Sequence, residues 1–185
     1  LNYQETDMSR LSAIHPDSAT GATAEVFTAI KKTVGKVPNA YATVGTHSAA
    51  ALKAILGADA VLGAGSLQKA DIEAIKLAVS QLAGCDYCVA AHTLMGKMSG
   101  LTPEAMRQVR AGTATGDAKR DALVRFARLL VTSSGTVDAK EVQAVRDAGH
   151  SEQQIVEAIL AISVITFTNL VNRVNDTVLD FPAVQ

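Results

Sequence analysis

The sequence predicts an all-α domain, and three observations carry that prediction. Hydrophobic residues fill 48% of the 185 positions but aromatics only 4%, with no tryptophan, so the core must be built from Ala, Val, Leu and Ile. That mixture suits close helix packing better than a β-sandwich, which draws on aromatic and β-branched side chains. Glycine, proline and capping residues cut the chain into helix-length pieces joined by short loops. No stretch of four or more residues alternates apolar and polar cleanly enough to be a half-buried strand.

Each element follows from its punctuation. The first helix is expected over 22–34, stopped by Gly35. Gly35-Lys36-Val37-Pro38-Asn39 is a turn, because the residue before a proline is pushed out of the helical region. Helical pattern resumes over 40–46 and 48–62 and breaks at Gly63-Ala64-Gly65. Ser66 is the expected N-cap of a helix over 67–82, whose apolar positions include Ile72, Ile75, Leu77, Val79 and Leu82. Gly84 ends that helix as a left-handed cap. The next helix starts at or near Cys85 and runs to Met98. Thr102-Pro103-Glu104 sets a cap before a proline at the first helical position, opening a helix over 103–110. Further helices are expected over 117–132, 138–148 and 151–174, the last opened by Ser151 and Gln154 as a capping box. Residues 1–20 are expected as a loosely ordered arm, and 21–185 as one helical domain.

Charge and hydropathy exclude several classes of partner. Net charge is −1 with both signs interspersed, so neither nucleic acid nor a membrane surface is an expected partner. The longest nearly uncharged run, Ala158 to Val171, is shorter than the roughly 20 residues of a membrane span and reads as a buried or interface helix. The N-terminal stretch has no secretory pattern, and the expected location is the cytoplasm. In that compartment a C-x-x-C is redox-active or metal-binding more often than a structural staple.

The chemistry concentrates in Glu73, Cys85, Cys88 and His92, spaced E-x11-C-x-x-C-x-x-x-H and holding the only two cysteines of the chain. On a helix, positions 85, 88 and 92 form one stripe, and Cys88 and His92 are i, i+4 neighbours. An imidazole there can take a thiol proton directly or through water. Cys85 at the helix start is favoured as a thiolate by unpaired amides and the macrodipole. Two cysteines three apart also lie within the Cα range of a disulfide. Glu73, on the preceding helix, can orient the imidazole or complete a proton relay if the two helices pack antiparallel. The pair can also be half of a zinc site. No second pair exists, however, and His15, His47 and His150 lie at no ligand-like spacing, so thiol redox chemistry is preferred to metal. A c-type haem needs histidine directly after the second cysteine, where Val89 stands. No phosphate loop, nucleophile elbow or bound cofactor is implied.

His47 is expected as a helix-end residue. Asn169, Asn172, Arg173 and Asn175 are either solvated helix-end residues or polar groups lining a pocket or interface. Phe27, Tyr41, Phe126 and Phe167 are expected in the core.

The four-residue signature resembles the active site of AhpD-like alkylhydroperoxidases in the carboxymuconolactone decarboxylase superfamily. Similar stretches are Gly35-Lys36-Val37-Pro38-Asn39 with Tyr41, His47-Ser48, Gly84 to Cys88 with Ala91-His92, and Phe167-Thr168-Asn169 with Asn172, so the resemblance spans about 20–178. It implies a helical fold that assembles into a homo-oligomer, a trimer or hexamer, and reduces organic hydroperoxides in antioxidant defence. Cys88 would be the peroxidatic thiolate, Cys85 the resolving thiol, and His92 with Glu73 the proton relay. The external reductant would be a dihydrolipoyl protein or another thiol. Relatives carry a second histidine just before the peroxidatic cysteine; here Tyr87, a poor base near neutral pH, is a possible accessory instead. Two alternatives accompany this reading. One is a lactone decarboxylase of the same superfamily, which does not need the cysteine pair. The other is a helical redox-sensing or interaction protein.

Overall fold

The computed structural model describes residues 9–184, and every regular element among them is helical. A short 3-10 turn at Pro16–Ser18 precedes nine helices: α1 (Gly21–Val34), α2 (Asn39–His47), α3 (Ala49–Gly63), α4 (Lys69–Ala83), α5 (Asp86–Met98), α6 (Pro103–Ala111), α7 (Ala118–Thr132), α8 (Ala139–Asp147) and α9 (Glu152–Asn175).

Local chemistry sets most of the boundaries. Gly35 and Gly84 close α1 and α4 with φ of 86° and 62°, left-handed values that glycine adopts without strain. The Ser48 hydroxyl caps α3 by accepting from Ala51 N, and Thr102 caps α6 by accepting from Ala105 N, each at 3.1 Å. Ser151 and Gln154 form the reciprocal capping box, at 3.2 and 3.1 Å. Ser66 departs from expectation. Helix α4 begins at Lys69, and Ser66 instead donates its amide and hydroxyl to the Glu157 carboxylate on α9, both at 2.9 Å. Leu67 N joins them at 3.0 Å. Hydrogen bonds to an ionised carboxylate are roughly twice as strong as neutral ones, so Glu157 wins this loop from the helix start.

Helix α4 lies at the centre, packed against α5, α9, α7 and α6. Every residue from Asp71 to Ser80 on it is buried. Its apolar positions fill two cores: Ile72, Ile75 and Val79 meet α7 and α9, while Ala74, Leu77 and Ala78 meet α5, α6 and α7. Each fully buried Leu or Ile contributes about 1.5–3 kcal/mol relative to exposure. The polar positions are tolerable because each finds a partner: Asp71 with Arg120 Nε at 2.9 Å, Lys76 with Asp59 at 2.5 Å, Glu73 with His92 at 2.7 Å, and Ser80 with Asn169 at 3.2 Å. A third cluster joins α1, α2 and α3 through Phe27, Ile30 and Leu52.

The run Ala158–Val171 falls inside α9, which buries Ile155, Ala158, Ala161 and Ile165 in the core. This helix is long and apolar enough to cross a membrane by length and composition, but one face of it carries the domain core. The first eight residues of the N-terminal arm lie outside the described residues. Beyond them, Arg10 N donates to Asn175 O and Leu11 N to Asn175 Oδ1, each at 2.7 Å, and Ile14 N donates to Thr46 Oγ1 at 3.1 Å.

Candidate active site

The tight turn at Gly84 reverses the chain so that α4 and α5 pack as an antiparallel pair. Cys85 follows it directly and is the N-cap of α5, its sulfur accepting the Cys88 amide at 3.3 Å. One turn on, Cys88 points toward α9, where Asn172 Nδ2 donates to its sulfur at 3.2 Å. One further turn along α5, His92 Nδ1 meets Glu73 Oε2 at 2.7 Å. A neutral imidazole that donates from Nδ1 keeps Nε2 as an acceptor.

Cys88, His92, Glu73 and Tyr87 line one cavity of about 410 Å³. Its walls are mainly apolar or aromatic, including Pro38, Tyr41, Leu62, Ile72, Met95 and Phe181. Cys85 is not among the lining residues and sits behind Cys88, equally buried. Both cysteines are free thiols. The expected approach of His92 to the thiol is therefore across a shared cavity, while the direct sulfur contact comes from Asn172. Among the described residues no three His, Cys, Asp or Glu side chains gather as a metal-ligand set.

Electrostatics divides the two thiols. The hydrogen bond with Cys88 lowers the Cys85 pKa against the opposing effect of burial, and the Cys88 amide and the Arg173 charge add to the lowering. Cys88 is pushed above the usual thiol range, first by its hydrogen bond with Cys85, then by burial and by the Cys85 charge. Asn172 and Thr168, one turn apart on α9, pull it back down. The two shifts run in opposite directions, so Cys85 is the more acidic thiol of the pair and Cys88 the less acidic one. Burial pushes Glu73 up, but the charge and hydrogen bond of His92, with Lys76, bring it below the usual carboxylate value. Glu73 therefore stays ionised beside the imidazole.

Residues 46–129, which hold the whole signature, match the sequence profile of the carboxymuconolactone decarboxylase family. The AhpD-core protein of Ralstonia eutropha JMP134, an uncharacterized peroxidase-related protein, superimposes with a TM-score of 0.83. It is 20% identical over 94% of this chain and 93% of its own. The chain has the AhpD-like helical fold, and its residues 46–129 resemble the carboxymuconolactone decarboxylase family. An uncharacterized peroxidase-related protein from Silicibacter sp. TM1040 has the same fold, at a TM-score of 0.76, 20% identity, and 92% and 94% of the two chains. So does the debrominase Bmp8, at a TM-score of 0.77, 20% identity and 92% of each chain. No curated protein matches the sequence.

Within this site the structure decides between the two readings of the α9 asparagines and adds a second place for Tyr41. Tyr41 packs against the α1–α2–α3 core, as expected, and also stands in the cavity wall, its pKa raised first by burial and then by the charges of Asp59, Glu73 and Cys88. Asn172, Asn169 and Asn175 are not solvated helix-end residues: all three are buried. Asn172 reaches the thiol and Asn175 ties the N-terminal arm to Thr43. Tyr87 lines the cavity, but its hydroxyl is committed elsewhere. It donates to Asp180 Oδ1 at 2.6 Å and accepts from Ala40 N at 3.2 Å. His47 is a helix-end residue whose Nε2 meets Ser12 O at 2.7 Å, away from the cavity. Sequence reasoning missed Phe181 and Asp180 entirely, since nothing in their spacing links residues near 180 to a motif near 88. Asn172 carried a usable signal: an amide inside an apolar helical stretch has to be paired when buried.

Proposed function

We propose that this AhpD-like protein is a thiol-dependent peroxidase that reduces organic hydroperoxides through a Cys85–Cys88 dithiol/disulfide cycle. The observation that carries the reading is that Cys88, and not Cys85, shares the cavity with the Glu73–His92 pair.

Substrate binding brings the peroxide against Cys88, whose proton passes to the Cys85 thiolate or across the cavity to His92. The Cys88 sulfur attacks the terminal peroxide oxygen and the O–O bond breaks. The alkoxide takes a proton, relayed by His92 and Glu73, and leaves as the alcohol; Cys88 becomes a sulfenic acid. The Cys85 sulfur then attacks Cys88, the sulfenic hydroxyl leaves as water, and the disulfide forms. The peroxide has gained two electrons and the dithiol has lost them. An external dithiol, such as a dihydrolipoyl protein, or two small thiols return them. No cofactor takes part in this cycle. The apolar and aromatic walls favour alkyl and aryl hydroperoxides over hydrogen peroxide. A dithiol cycle needs a reducing compartment, which fits the cytoplasm.

The test is stopped-flow thiol counting with cumene hydroperoxide added to reduced protein. Two thiols per chain are lost rapidly in the wild type. Cys88→Ser abolishes the reaction, and Cys85→Ser stops at a sulfenic acid trapped by dimedone. Full peroxidase activity in the double variant refutes the cycle, and wild-type thiols that persist at the background rate turn attention to disulfide exchange or decarboxylation.

The likeness to Bmp8, named a debrominase and also solved with 2,3,4-tribromopyrrole, favours one second reading. The same dithiol can supply two electrons to a halogenated aromatic ring, giving the hydro-arene, halide and disulfide. Bromide release from a bromopyrrole, with no loss of thiols to cumene hydroperoxide, selects that reading over the first.

A further inference from the structure

The segment that follows α9 runs back over the site and is clamped there at several points. Asn39 Nδ2 donates to Val178 O at 3.0 Å, and Asn39 N donates to Asp180 Oδ2 at 3.3 Å. Lys36 Nζ donates to the same carboxylate oxygen at 2.9 Å, while Tyr87 donates to the other at 2.6 Å. The Asp180 side chain is only 20% exposed, so these contacts are screened less than surface pairs are. Next to it, the Phe181 ring stands edge-on to Tyr87 with centroids 5.4 Å apart and planes at 83°. Lys36 Nζ lies 4.9 Å from the Phe181 centroid on its face. Edge-to-face aromatic pairs and cation–π contacts are both attractive, because the ring is positive at its edge and negative on its face. Phe181 and Tyr87 line the same cavity as Cys88.

The geometry points to Phe181 as the specificity-determining wall of the cavity, with Tyr87 and Asp180 as the positioning residues that hold it in place. The assignment of the ligand as an organic hydroperoxide rests on the function proposed above; the placement of the wall does not. Tyr87 thereby acquires a role that uses its phenol as a donor and its ring as a packing surface, and none as a base. Asp180 is the joint: its carboxylate collects a phenol from α5, an ammonium from the turn before α2 and the backbone amide of the first residue of α2. A ring held at its edge and on its face has little freedom to swing aside. Ligands wider than the space between Phe181 and the opposite wall are therefore excluded from the thiol.

The experiment compares how two alkylating reagents of different width reach Cys88 in reduced full-length protein. Iodoacetamide is the narrow probe and fluorescein-5-maleimide the wide one, and peptide mass spectrometry assigns the modified cysteine. In Phe181→Ala the ratio of wide-probe to narrow-probe rate at Cys88 rises by about tenfold or more, as expected when one ring sets a steric limit. Phe181→Leu gives an intermediate ratio. Tyr87→Phe, which keeps the ring but frees Asp180, raises the ratio by a smaller factor. A ratio unchanged in both Phe181 variants overturns the assignment, as does an equal rise in both rates, which describes shielding without selection. Cumene and tert-butyl hydroperoxide are run in parallel on the same proteins. If neither oxidises the wild type while the alkylation ratio still responds, the peroxidase reading falls and the wall stands. If the wild type is oxidised and the ratio is flat, the wall falls and the peroxidase reading stands.

Discussion

Cys85 and Cys88 differ by one helical turn and by almost everything that matters to a thiol. Cys85 receives an amide hydrogen bond and feels Arg173, whereas Cys88 shares a proton with its neighbour and faces apolar walls. The acidic sulfur is therefore the inaccessible one, and the accessible sulfur is the reluctant one. Removing Cys85 removes two of the causes that raise Cys88, its hydrogen bond and its charge, and leaves only burial against Asn172 and Thr168. In Cys85→Ala the midpoint of Cys88 alkylation by iodoacetamide consequently moves to lower pH than in the wild type. Alkylation rate as a function of pH, followed at Cys88 by mass spectrometry, checks this; a midpoint that stays or moves upward contradicts it. The sign follows from the reactive form: the thiolate appears as pH rises through the pKa, so a lower pKa brings reactivity in earlier.

Among the elements, α2 is packed tightly at a single glycine. It carries the cavity residue Tyr41 and, one turn on along the same face, presses Gly45 against α1 and α3. A Cβ at Gly45 would lie 2.3 Å from Phe27 Cε1 and 2.9 Å from Leu52 Cδ2. Both side chains are buried and belong to the same small core, so neither can retreat into solvent. Alanine raises helix propensity by about 1 kcal/mol over glycine, but overpacking of this kind costs about 1–3 kcal/mol. Gly45→Ala is expected to destabilise, lowering Tm by about 2–4 °C for each net kcal/mol. Calorimetry on the reduced protein decides it, and an unchanged or higher Tm would mean that the α1–α2–α3 core yields.

Across the whole molecule, α9 faces both ways. Thr168 and Asn172 turn inward to the cavity, while Val156, Ile159, Leu170 and Val174 are between 44% and 66% exposed on the outer side. That outer row recurs at helical spacing along 19 residues of one helix, an unusual amount of apolar surface for a chain that stands alone. We propose a homo-oligomer built on this face, with a trimer or hexamer the assembly that the resemblance implies. Light scattering should give a multiple of 19.2 kDa for the wild type and a smaller species for Leu170→Glu. A wild-type mass of one chain removes the interface.

The amino-acid sequence by itself determined the helical class, most helix ends and which residues form the candidate reactive group. These are local properties: a glycine that must adopt positive φ, a hydroxyl three residues from an amide, and a thiol, a thiol and an imidazole on one helical stripe. Spacing also brought Glu73 to His92, because one tight turn between two helices fixes how they pair. Ser66 shows where local reasoning stops. Its capping signal was sound in isolation, but a carboxylate 91 residues away on α9 offered a stronger partner. The rest of the site has that same long-range character. Which cysteine faces the cavity depends on where α9 crosses α5, and the wall at Phe181 depends on a carboxylate that joins residues 36, 39, 87 and 180. No spacing rule reaches across such separations. Only the packing of α4 at the centre, which sets where α5, α9 and the returning segment meet, decided them.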